Sequence, residues 1–163
     1  MKKIQLLLVL TVAVSLMSFK EANGKPTNGE PVLKKAVITF IMPQGDDKDT
    51  DTKVTVSVTS KFNNQFDLTL ASRNDFACND TWEDPGGKEY TYELGAATGT
   101  KLSQISGDVK IRITINPVGN DTVKFNYRLT LVFDDGDPNT PPAELKQERD
   151  GITLSQDNRT FTS

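Results

Sequence analysis

The chain has 163 residues, 36% hydrophobic and 25% charged, with a formal charge of −3 and no histidine. That length holds one domain of roughly 100 to 150 residues with a real core and little room for a second. The missing histidine excludes Ser-His-Asp and Cys-His nucleophilic sites and histidine-bound zinc or copper, and the acidic balance argues against nucleic acid, which needs a basic face.

The amino terminus, MKKIQLLLVLTVAVSLMS, starts with Lys2 and Lys3 and continues as an apolar run to Met17. This is the pattern of a secretory signal peptide, and of a short bacterial one; the run falls below the roughly 20 apolar residues of a membrane span. Residues 1–18 are assigned to the signal, with cleavage between 15 and 22, and the chain is expected to be exported to the periplasm, cell surface or exterior. No cysteine follows the apolar run, so no lipid anchor is expected. Residues 19–33 include EANGKPTNGEP, whose Gly, Pro and Asn read as a flexible linker. The folded domain is expected over 34–163.

From there the dominant period is two. Ala36 to Ile41 alternates with apolar residues on both faces, and Lys53 to Ser60 turns its valines in and Thr55, Ser57 and Thr59 out. After KFNN, Phe66, Leu68 and Leu70 mark a third strand. The long connection SRNDFACNDTWEDPGG leads to Lys88 to Leu94, and GAATGTKLSQISG leads to a strand over Asp108 to Asn116. Thr122 to Phe133 is the longest, with Val123, Phe125, Tyr127, Leu129, Leu131 and Phe133 on one side. DDGDPNTPPAELKQERD reads as turn-forming with at most one helical turn, and two short strands, Gly151 to Ser155 and Arg159 to Thr162, end the chain. About eight short strands without a helical pattern predict an all-β fold, an antiparallel β-sandwich.

If consecutive strands alternate in direction, the connections sort into two ends. One end collects Asp46, Asp47, Asp49 and Asp51 with Asp75, Asp80, Asn120, Asp121, Asp157 and Asn158. Such oxygen donors suit calcium, which takes six to eight oxygens in a flexible shell, better than magnesium with its strict octahedron. Asp47-x-Asp49-x-Asp51 starts like an EF-hand, but Thr52 and Val58 stand where its glycine and bidentate glutamate belong, so the EF-hand reading fails. The bland alternative is a solvated acidic turn. At the opposite end, DDGD (Asp134 to Asp137) reads as an ordinary turn.

Together, GDDKDTDTKVTVSV, VKIRITINPVGNDTVKFNYRLTLVFDDG and GITLSQDNR resemble secreted domains of the PLAT/LH2 group, whose architecture is C2-like. The resemblance covers most of the chain after the linker. It implies a non-catalytic binding module in which calcium, held by end loops at Asp46, Asp47, Asp49, Asp51, Asn120 and Asp121, mediates attachment to a membrane, a protein or an extracellular component. The alternatives are a carbohydrate-binding sandwich with structural calcium, and a metal-free structural or inhibitory secreted domain.

Phe76 and Trp82 are candidate partner-binding residues if exposed, inserting at a membrane interface or stacking on a glycan; the competing reading is core packing, since tryptophan is mostly buried. Cys78 stands alone, which rules out an intrachain disulfide and suggests an inert buried thiol. Glycosidase chemistry needs only two carboxyl groups, but a domain of this size offers little substrate cleft, so no enzyme is expected.

Overall fold

The computed structural model describes residues 29–43, 48–49, 51–82, 87–119 and 121–163. The signal segment and most of the linker lie outside them. Among the described residues eight strands follow in chain order: β1 (Val32–Ile41), β2 (Lys53–Phe62), β3 (Phe66–Phe76), β4 (Glu89–Ala96), β5 (Ile105–Asn116), β6 (Thr122–Asp134), β7 (Ala143–Ser155) and β8 (Thr160–Thr162). One short 3-10 turn, Leu102–Gln104, precedes β5. The all-β antiparallel expectation holds.

The arrangement is one sheet rather than two separate ones, in the order β7-β6-β1-β4-β3-β2-β5-β8. Two four-stranded faces join where β3 meets β4 through only Ala71 with Ala96 and Ser72 with Gly95. At the opposite margin β7 and β8 approach, with Gln147 Nε2 donating to Ser163 Oγ at 3.1 Å. The result is a nearly closed, barrel-like sheet. A count of strands and their periods is the same for a sandwich and for this fold, because the difference lies in those two residue pairs.

Alternation sets the core. β6 buries all six of its inward residues from Val123 to Phe133, and β2 and β5 add Val54, Val56, Val58, Ile111, Ile113 and Ile115. β1 begins at Val32, two residues before the expected domain start, and Leu33 is already fully buried. A register shift between Leu33 and Lys35 lets Leu33 and Ala36, an odd distance apart, both point inward. Contrary to the expectation of burial on both faces, β1 buries mainly one; on the other, Thr39 is covered and pairs its hydroxyl with Thr91 at 3.0 Å.

The clearest departure from the sequence reading is β7. The helix-leaning AELKQER is strand, laddered against β6 from Ala143 to Ser155. β6 is long enough to template it, and a neighbouring ladder outweighs intrinsic preference. A kink falls where Gly151, at φ 69°, donates its N–H to Asn126 Oδ1 at 2.8 Å. After the kink Ile152 and Leu154 enter the core; before it Leu145 is 36% exposed.

Every paired neighbour is antiparallel, so odd- and even-numbered strands run in opposite directions. The connections β1–β2, β3–β4, β5–β6 and β7–β8 therefore share one end, as the alternation argument expected. The cleft described below opens toward the other.

Candidate functional site

At the first end the loops meet around a lysine. Lys48 and Trp82 exchange backbone hydrogen bonds, 3.1 Å from Lys48 N to Trp82 O and 3.2 Å back, tying the β1–β2 loop to the β3–β4 loop. The Lys48 side chain turns inward and is 0% exposed. Its Nζ donates to the carbonyls of Asp49 (2.7 Å), Thr52 (3.0 Å) and Ala77 (2.8 Å), using all three hydrogens of an ammonium. It also lies 5.4 Å from the centre of the Trp82 ring. Ala77 sits in the left-handed region at φ 58°, a strained setting for a residue with a Cβ. The carbonyl of this residue is one of the three that Lys48 caps.

Burial lowers the Lys48 pKa from the ordinary lysine value, and Asp121, Asp80, Cys78 and Asp49, in that order, pull the other way. Asp121 Oδ2 accepts the Thr52 hydroxyl and the Asp49 N–H, the latter at 3.4 Å, which brings the β5–β6 loop to the same point.

The expected calcium ligands divide accordingly. Asp46, Asp47 and Asn120 lie outside the described residues. Asp49 and Asp51 are exposed and Asp121 is half-buried. Among the described residues no group of three or more His, Cys, Asp or Glu side chains is placed to hold a metal ion. The oxygens that do converge here are carbonyls, and they converge on an ammonium. A divalent cation at those same oxygens would face that positive charge at close range, so these three carbonyls do not fit calcium while Lys48 holds them. The sequence reading missed Lys48; the signal was a single cation inside an acidic turn.

Phe76 and Trp82 are interior, 4% and 0% exposed, so the partner-binding role requiring their exposure gives way to core packing. Trp82 stacks on Phe40 at 4.6 Å and on Tyr90 at 5.8 Å, and its Nε1–H donates to Tyr92 Oη at 2.8 Å. Tyr92 in turn donates to Asp80 Oδ2 at 2.7 Å. Burial, then that hydrogen bond to Asp80, pushes the Tyr92 pKa well above the usual phenol range. The physical reason for burial is plain: the long β3–β4 connection needs an anchor, and the one tryptophan supplies it. The sugar-binding alternative required these rings on an exposed plane, which they do not form. Cys78 is free and half-exposed rather than buried.

DDGD behaves as the ordinary turn expected of it. Asp134 Oδ1 accepts Gly136 N–H at 2.7 Å, and Asp135 Oδ1 accepts Asp137 N–H at 2.9 Å.

The second candidate was not foreseen. β8 has three residues, and with the residues flanking it covers β5 only from Ile111 to Ile115. From Ile105 to Lys110, β5 therefore faces β7 across an open seam. Behind it lies a cleft of about 710 Å³ whose apolar lining is Leu102, Ile105, Val109, Leu129, Leu131 and Leu145. This falls in the range of about 300–1,000 Å³ common for small-molecule sites, which are mostly apolar with a few placed polar groups. Near the open end Phe66, 53% exposed, stacks on Phe62 at 5.0 Å, and Phe62 pairs with Ile105 of the lining. The shortness of β8 was visible in the sequence, but the gap it leaves depends on how far β7 runs, which was not.

No protein-family model matches the chain, and no match was found among curated proteins or among solved structures.

Proposed function

We propose that the protein is an exported, non-catalytic binding module that takes a small apolar ligand into the cleft at the open seam. The observation that carries this reading is the apolar cleft of about 710 Å³ between β5 and β7. Export rests on the signal pattern of residues 1–18, and binding rather than catalysis is supported by a sequence with no histidine and one cysteine. Pyrene, an uncharged hydrocarbon whose emission reports an apolar environment, tests it. Saturable one-to-one uptake is expected, weakened at least about tenfold, or ~1.4 kcal/mol, when Val109→Trp fills the cleft. Pyrene uptake that Val109→Trp leaves unchanged, or no uptake, overturns the reading.

A second reading is calcium-dependent docking to a membrane, protein or extracellular component through the acidic end, in a C2/PLAT-like manner. It is favoured by the meeting of the loops that carry Asp49 and Asp121, together with the resemblance to the PLAT/LH2 group. Because the carbonyls are taken by Lys48, the ion would be held by Asp46, Asp47, Asp49, Asp51, Asn120 and Asp121 side chains. Calorimetric titration of chelator-treated protein, with magnesium as control, is expected to show saturable calcium binding that Asp47→Asn with Asp49→Asn weakens and Asp134→Asn with Asp135→Asn does not. No heat at millimolar calcium would remove this reading.

A further inference from the structure

The cleft has a polar inner end. Gln147 of β7 stands opposite Leu129 of β6, and paired residues of an antiparallel ladder point to the same face, so Gln147 faces inward beside the apolar lining. Its Nε2 is committed to Ser163 Oγ at 3.1 Å, and Ser163 Oγ also accepts the Ile111 N–H at 3.0 Å. Gln147 Oε1 is buried and has no hydrogen-bond partner among the described residues. One diagonal step away on the same two strands is Tyr127, 1% exposed, whose Oη is likewise buried without a partner. Burial raises the Tyr127 pKa; Ser163, close enough to act on the phenol as a hydrogen-bonding neighbour but outside bonding geometry with Oη, and Arg149 pull it down less. Two neighbouring polar atoms without partners are unusual in a folded interior.

The geometry points to a single-chain alcohol as the ligand class: an apolar tail along Leu131, Leu102, Ile105 and Leu145, and a terminal hydroxyl at Gln147. This rests on the cleft being the ligand site. A hydroxyl serves both orphan atoms, giving its hydrogen to Gln147 Oε1 and leaving lone pairs open to Tyr127 Oη. A carboxylate has no hydrogen to give, and it would set its charge against an acceptor. Of the charged residues lining the cleft, Lys146 is already paired with Glu144 at 2.7 Å, and Asp108 offsets the charge of Lys110. The lining therefore favours a neutral donor over an anion.

Displacement of pyrene from the full chain compares octan-1-ol with 1-methoxyoctane, which keeps the acceptor oxygen but lacks the donor, and with octanoate. Octan-1-ol is expected to displace pyrene at about three- to tenfold lower concentration than the ether, the usual worth of one net hydrogen bond. Octanoate should be weaker than the alcohol. Gln147→Leu should bring alcohol and ether within about twofold of each other, since it removes the acceptor that separates them. Equal displacement by alcohol and ether in the unaltered chain overturns the hydroxyl assignment and leaves the cleft as a general apolar site. Octanoate binding best overturns it in favour of an anion held by Lys110 and Lys146. A chain that takes up none of these, pyrene included, overturns both this assignment and the proposed function.

Discussion

Replacing Lys48 by methionine is expected to cost about 3 kcal/mol or more, because the substitution removes one partner from a buried polar cluster and leaves the others behind. The carbonyls of Asp49, Thr52 and Ala77 lose their donor, and Met fills the space without replacing a hydrogen bond. Lys48→Arg should recover only part of the loss, since a planar guanidinium cannot cap three carbonyls grouped around a point. Urea unfolding measures both.

The pH dependence follows from the lowered Lys48 pKa. The folded chain gives up this proton at a lower pH than the unfolded chain, whose lysine titrates near ~10.4. Between the two values the unfolded state holds more protons, so this group's contribution to stability rises with pH and levels off above ~10.4. Tyr92 and Tyr127, both with raised values, act in the opposite sense above ~10, where the unfolded phenols ionise first. They are common to wild type and Lys48→Met, so the difference between the two proteins isolates the lysine. That difference should widen as the pH approaches ~10.4. A difference that narrows would mean that attraction to Asp121, Asp80 and Asp49 outweighs burial.

Trp82→Ala is expected to cost about 3–5 kcal/mol, the range for a large aromatic removed from a packed core. The substitution empties the contact with Phe40 and Tyr90 and takes the Nε1–H from Tyr92. Trp82→Phe keeps a ring against Phe40 but loses that hydrogen bond, so it should cost much less, about 1 kcal/mol from the polar loss alone. Trp82 is the only tryptophan, so its fluorescence reports directly. The native emission should be blue-shifted and shielded from acrylamide, and thermal melts of the two variants give the order of loss. Native fluorescence quenched as readily as free indole would contradict the interior placement.

Much of the fold was legible in the sequence, for a physical reason. A strand with one buried face writes its period into the chain, so β2, the core half of β5 and all of β6 were read from Val54, Val56, Val58, Ile111, Ile113, Ile115 and the run from Val123 to Phe133. Strict alternation of direction then placed the loops at the correct ends. β7 was hidden because its first half buries little: Glu144, Lys146 and Glu148 carry helix-like composition, and only the ladder against β6 makes them strand. The closure of the sheet rests on Ala71, Ser72, Gly95 and Ala96, small residues with no periodic signal.

The acidic end was legible as a meeting of loops and illegible in its chemistry. Asp49 and Asp121 do come together, but the residue that organises the local backbone is Lys48, and nothing about a lysine in a polar turn announces that it folds inward. The cleft was beyond reach for a related reason. It is made by what β8 fails to cover, and an uncovered stretch of β5 has the same sequence as a covered one.

The decisive measurement is a methyl-resolved NMR titration of the protein with octan-1-ol. Saturable shifts confined to Ile105, Val109, Leu129, Leu131 and Leu145 are expected, with the methyls of Val54 and Ile115 near the Lys48 end unmoved. Shifts centred on Val54 and Ile115, or no saturable shifts at all, would contradict the assignment of ligand binding to the open seam.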